Sequence, residues 1–167
     1  MQVSAIALFL NKTNITRNII KASIEPPSST FVVPEKSIVV KILPNGLQPF
    51  ELQRTRSLDY SMFNLLGLFK LANIGQNAGI DIWNYKTDRV PLLQKALDFL
   101  LPYIIKKHPW PYSQVTQINR YLATDLLCQA IIHYPNRSGP YLEAYKIVSR
   151  NSTFLNIDNL SPTCHNS

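Results

Sequence analysis

Residues 91–105 read PLLQKALDFLLPYII, and this stretch decides the fold class. Leu93, Ala96, Leu97, Leu100, Leu101, Ile104 and Ile105 fall at alternating spacings of three and one. That is one buried face at 3.6 residues per turn. The spacing predicts an amphipathic helix over 91–106. Pro91 suits its first turn, where a missing N–H costs nothing. Pro102 lies inside the pattern and is expected to kink or end the helix.

Working outward, the same period appears on both sides. From about residue 57, Met62, Leu65, Leu66, Phe69, Ala72 and Phe63 form a stripe that ends near Gly75 or Gly79. Further helices are expected over about 116–134 and, after Ser138-Gly139-Pro140, over about 140–150. Toward the start, Ile15, Ile19, Ile20 and Ile24 place a helix over 13–24. Residues 3–10 are nearly all apolar and read as a core helix needing cover on both sides. Pro26 to Thr30 is a loop by composition, and Pro44-Asn45-Gly46 is a turn. Residues 37–43, SIVVKIL, are β-branched and read as a short strand or a poorly formed helix. The organisation is all-α, a series of antiparallel helices joined by turns with no βαβ alternation.

Composition narrows the function classes. The chain has 167 residues, which suits one domain. It carries only two cysteines, which excludes a disulfide-dense scaffold or a four-cysteine zinc site. No apolar stretch reaches the length of a membrane span. The net charge is +7. A basic surface favours polyanions, though a solvated excess of lysine is the plainer alternative. The longest basic run is Lys106-Lys107, and no nucleic-acid-binding motif appears. No glycine-rich phosphate loop and no paired-histidine metal motif is present, so neither a cofactor nor a metal is expected. His108, His133 and His165 are far apart in sequence. His133 lies near a helix C-terminus, where a partly protonated imidazole is favoured. Cys128 reads as a buried small hydrophobe, with a bridge to Cys164 left open.

Chemistry concentrates in Glu51-Leu52-Gln53-Arg54-Thr55-Arg56-Ser57-Leu58-Asp59-Tyr60, at the entrance to a helix. Arginine presents forked donors to a carboxylate. Guanidinium groups beside a tyrosine stabilise its phenolate, which makes it usable as a proton carrier. Arg56 and Tyr60 are four apart and share a helix face. The alternative is a surface helix start with an Arg–Asp pair and a half-buried tyrosine. A second group is aromatic: Trp83 and Tyr85 after a helix, and Trp110 and Tyr112 in the proline-bracketed segment 108–112. Exposed loop aromatics offer flat faces to sugar rings. The same rings could instead plug helix ends.

At these residues the chain resembles the alginate lyase domain family of polysaccharide lyases. The resemblance rests on Asn45-Gly46, Gln48-Pro49, Glu51-Leu52, Arg54 to Ser57, Tyr60-Ser61, Phe63-Asn64-Leu65 and Gly79-Ile80-Asp81-Ile82-Trp83, in the family's order and spacing. It is densest over 44–112. It implies an α/α toroid or partial barrel over residues 1–155, while 156–167, mostly polar, read as a disordered tail by composition. It implies cleavage of an acidic polysaccharide such as alginate by β-elimination. Tyr60 then matches the family's catalytic acid/base. Arg56, and less closely Arg54, match arginines near the substrate carboxylate. Trp83, Tyr85, Trp110 and Tyr112 become substrate-binding candidates. The family's Asn-His pair, which neutralises the carboxylate, lies upstream of the helix that here begins at Gln2. The expectation is therefore a C-terminal fragment of the domain with little turnover. Export to the periplasm or outside the cell is also implied, and N-x-Ser/Thr acceptors at Asn11, Asn14, Asn136 and Asn151 fit a secreted parent. Two other readings stand beside the lyase: a non-catalytic carbohydrate-binding remnant, and a small helical domain that binds polyanions.

Overall fold

A computed structural model describes residues 2–24, 41–86 and 88–149. In chain order the helices are α1 (Gln2–Phe9), α2 (Thr13–Ile24), α3 (Pro49–Leu52), α4 (Ser57–Asn77), α5 (Leu92–Ile104), α6 (Arg120–His133) and α7 (Ser138–Ser149), with a 3-10 turn over Pro135–Arg137. Among the described residues there is no strand, only an isolated antiparallel bridge between Arg56 and Gln114. The expected loop over 26–30 and the expected tail over 156–167 lie outside the described residues. So does most of the stretch 37–43.

α4 is the axis of the fold. Leu65, Leu66, Leu68, Phe69, Leu71 and Ala72 are all buried, so neighbours surround its middle turns rather than one face. α1, α2, α3, α5 and α6 all pack on it. One expected member of its stripe is corrected: Phe63 is 64% exposed. It lies one position after Met62, about 100° around the helix, and turns off the core. The helix stops at Ala78. Gly79, with φ +74, follows in the left-handed region. Its N–H donates to the Gln76 carbonyl, and the Ile80 N–H donates to the Gly75 carbonyl. These paired bonds satisfy the last carbonyls of the helix.

α5 buries Leu92, Leu93, Ala96, Leu97, Leu100 and Ile104, as its spacing predicts, with Leu101 and Ile105 packed at the edge. Pro91 is the residue before the first turn rather than within it. Pro102 falls in the last turn, and the helix ends two residues later. α6 starts at Arg120, later than expected, because Asn119 caps it: its side-chain oxygen accepts from the N–H groups of Tyr121 and Leu122. α7 returns against α6. The Tyr141 hydroxyl donates to Asp98 of α5 at 2.8 Å, and Arg137 reaches the same oxygen at 3.2 Å.

The turn at Pro44-Asn45-Gly46 forms as predicted, with the Gly46 N–H donating to the Leu43 carbonyl. Gly46 has φ +88, and a Cβ there would sit 2.4 Å from the Lys95 carbonyl oxygen. Glycine is required twice over, by the dihedral and by the approach of α5. The first helix departs from expectation. α1 is not a core helix: Ser4 and Ala7 are buried, while Ile6, Phe9 and Leu10 are exposed. Its covered side meets α2, where the buried Thr16 hydroxyl donates to the Ser4 carbonyl.

Candidate active site at the start of α4

The first turn of α4 has no side-chain cap of its own, because Arg56 holds the capping position. Its free N–H groups are satisfied from 55 and 56 residues away. The Gln114 side-chain oxygen accepts from Leu58 and Asp59, and the Ser113 carbonyl accepts from the Ser57 N–H. The Ser57 hydroxyl also donates to the Ser113 carbonyl at 2.6 Å and accepts from the Trp110 indole N–H at 2.8 Å. The segment 110–115 therefore clamps the helix entrance that carries Tyr60.

Arg56 and Asp59 form an ion pair at 2.6 Å. Asp59 is buried, and its other oxygen accepts the Asn119 N–H at 2.8 Å. The Arg56 charge is thus matched by a carboxylate that also anchors α6. This is the Arg–Asp pairing weighed as the alternative to a free carboxylate clamp. Arg54 is placed differently. Its guanidinium carbon lies 3.6 Å from the centre of the Tyr60 ring, and its nitrogen lies 3.9 Å from Glu51. A cation over the ring face is attracted by the ring quadrupole.

Tyr60 stands between two depressions. The larger is a groove of about 660 Å³ at the seam of α1, α2 and α4. Lys41, Glu51, Arg54, Tyr60, Asn64 and Lys70 supply its ionisable and polar rim. The smaller, of about 180 Å³, has Arg56, Asp59, Tyr60 and Asn119 on its walls. Phe63 lines both, which gives its exposed ring a place beside the site. A buried amide network fixes the floor: Gln48 donates to the Ser61 carbonyl and accepts from the Asn64 amide at 2.8 Å. Burial holds the Glu51 carboxyl above its ordinary value of 4.5, against the opposing pull of Arg54 and Lys41.

The aromatic candidates divide. Trp83 is corrected: it is 2% exposed, not a free loop ring. It stacks on His133 at 3.7 Å and tilts against Phe69 at 4.6 Å. Its carbonyl accepts the Tyr134 hydroxyl. Phe69 is nine residues along α4 from Tyr60, a rise of about 13 Å. Tyr85 is half-buried in the same loop, packed against the core. Trp110 is half-buried edge-on to Tyr103 and Phe99, so it plugs the end of α5 while holding Ser57. Tyr112 is 38% exposed and contacts Trp110. None of these four rings lines the groove or the smaller depression.

His133 is corrected as well. Burial holds it below its ordinary 6.5, against the opposing pull of Asp81, so the net shift is opposite to the one its place at the end of α6 predicts. Cys128 is half-buried and disulfide-bonded rather than a buried free thiol, and Cys164 lies outside the described residues. Sequence reasoning missed Lys41, Asn64 and Lys70 as rim residues. They are dispersed along the chain, outside the dense polar run that holds Glu51, Arg54 and Tyr60. Among the described residues no group of three or more acidic, histidine or cysteine side chains could hold a metal. No helix there is long and apolar enough to cross a membrane.

Residues 1–110 match the sequence profile of the alginate lyase family. The crystal structure of an alginate lyase from Bacteroides ovatus superposes with a TM-score of 0.69 at 28% identity, covering 89% of this chain and 39% of that one. No curated protein matches. The helix hairpins are accordingly part of an α/α toroid. With the profile spanning most of the chain and the fold agreeing, this protein belongs to the alginate lyase family.

Proposed function

We propose that this chain is a polysaccharide lyase domain that binds an acidic polysaccharide such as alginate and cleaves it by β-elimination, with Tyr60 moving the proton. The observation that carries the proposal is Arg54 lying 3.6 Å over the Tyr60 ring at the rim of the groove. Elimination needs three things at one sugar: a neutralised carboxylate, a base for the C5 proton, and an acid for the departing glycosidic oxygen. In this reading Arg54 and Lys41 neutralise the carboxylate, and Arg56 positions the start of α4 through Asp59. As a phenolate Tyr60 takes the C5 proton, and as a phenol it returns one to the leaving oxygen. A net charge of +7 supports a polyanionic substrate. Membership of the alginate lyase family supports export to the periplasm or outside the cell.

Among the described residues no histidine lines the groove. The family's carboxylate-neutralising Asn-His pair has no counterpart among the described rim residues, and turnover is expected to be slow. The chain spans 39% of the length of the solved relative. One observation favours a second reading, a groove that binds the sugar without cleaving it: the Arg54 guanidinium is already shared between the Tyr60 ring and Glu51. The test is to incubate the full chain with alginate and follow the ultraviolet absorbance of the unsaturated uronate end. The lyase reading expects slow absorbance growth that falls about 10²–10⁴-fold in Tyr60→Phe with binding retained. Growth equal in Tyr60→Phe removes Tyr60 from the chemistry. Binding with no absorbance growth selects the second reading.

A further inference from the structure

Glu51 is a carboxyl on the wall of a groove read as a binder of carboxylates. An ionised Glu51 beside a uronate would repel it, at close range and partly out of water. The local arrangement offers a way round this. Glu51 sits on α3, which Gln48 ties to α4. Its side chain is 18% exposed, and its nearest cation is Arg54 at 3.9 Å. Lys41 lines the same wall, and its charge acts on Glu51. Arg54 is shared, with its guanidinium carbon over Tyr60 and a nitrogen toward Glu51. Among the described residues, the remaining charged or titratable groups facing the groove are Tyr60 and Lys70 of α4, while α1 and α2 contribute only uncharged side chains.

We propose that Glu51 is an internal competitor for the cations of the groove: a sugar carboxylate displaces it from Arg54 and Lys41, and the displaced Glu51 takes up one proton from solvent as the sugar binds. This rests on the groove being the sugar site. Two observations support it. Burial already holds the Glu51 carboxyl above the usual carboxylate range while both cations are in place. Withdrawing their attraction moves it further in the same direction. Among the described residues, Glu51 is the one carboxyl lining the groove. Binding should therefore strengthen as pH falls, opposite to what loss of a substrate's own charge would give.

The test is calorimetry of the full chain with a saturated mannuronate tetramer, run in two buffers of different ionisation heat between pH 5.5 and 7.5. The inference expects proton uptake approaching one per bound sugar chain, and a Kd that falls with pH by up to about tenfold per unit. Glu51→Gln keeps the shape and removes the charge. It should abolish the uptake, flatten the pH dependence and tighten binding at pH 7.5 by about 3–10-fold. Binding without proton uptake, unchanged in Glu51→Gln, overturns the inference and leaves the groove reading standing. Absence of binding in both proteins at every pH overturns the groove reading and the inference with it. The wild-type proton count reads out whether or not the variant folds.

Discussion

Phe9 and Phe69 are the same residue in two differently used regions. Phe9 closes α1 and is 89% exposed, while Phe69 sits mid-α4 and is fully buried. α1 is the more uniformly apolar segment, yet it leaves Ile6, Phe9 and Leu10 in contact with solvent. α4 carries serine, asparagine, lysine and glycine among its leucines and is nevertheless surrounded. The difference is in the neighbours. α4 is met by α5 and α6 on one side and by the α1–α2 hairpin on another, whereas the described residues cover α1 only where it meets α2 and α4. Apolar content says what could be buried, and the number of packed neighbours decides what is.

The contrast can be broken most forcefully at Phe69. Phe69→Ala should lower unfolding stability by about 3–5 kcal/mol in a denaturant titration, because the cavity lies against Trp83 and cannot collapse freely. A loss under about 1 kcal/mol would mean that α4 is not the axis of the fold. The next effect falls on the turn joining the groove to the core. Gly46→Ala introduces a Cβ into the Lys95 backbone at a positive φ. A loss of about 1–3 kcal/mol is expected, read as a lower thermal midpoint.

The Trp83–His133 stack sharpens the comparison through pH. Burial keeps His133 below its ordinary 6.5 when folded. The unfolded chain therefore binds a proton near pH 6.5 that the folded chain refuses. The stability His133 contributes is present above that pH and is lost as pH falls through it toward the folded value. Thermal midpoints measured from pH 7.5 to 5.5 should decline in the wild type and decline less in His133→Gln. Glu51, held above 4.5, acts with the opposite sign: its contribution is present below 4.5 and lost as pH rises through its folded value. The difference between wild type and His133→Gln isolates the histidine. The smallest effect is at the other phenylalanine. Phe9→Ser should change stability by no more than about 0.5 kcal/mol. A loss above about 1 kcal/mol would show that α1 is covered in solution.

The amino-acid sequence alone determined the helical periods, and with them the all-α class and the ends of most helices. Leu93 to Ile104 and Met62 to Ala72 carry their burial pattern in their spacing, because a 3.6-residue repeat has one geometric solution. Gly46 and Gly79 announced a turn and a helix stop, since a positive φ is a local property of one residue. The run from Glu51 to Tyr60 marked the candidate site for the same reason, as its members are neighbours along the chain. Tertiary structure alone decided the rest. Gln114 capping α4, Asp59 bridging Arg56 to Asn119, and His133 covering Trp83 each join residues 50 or more positions apart. So does Lys95 in its approach to the carbonyl of Pro44. Phe63 shows the limit most clearly, as its spacing admits it to the stripe while its angle puts it over the groove. Periodicity names the face of a helix, but which face meets a neighbour depends on where the other helices fall, and that is a property of the whole packed chain.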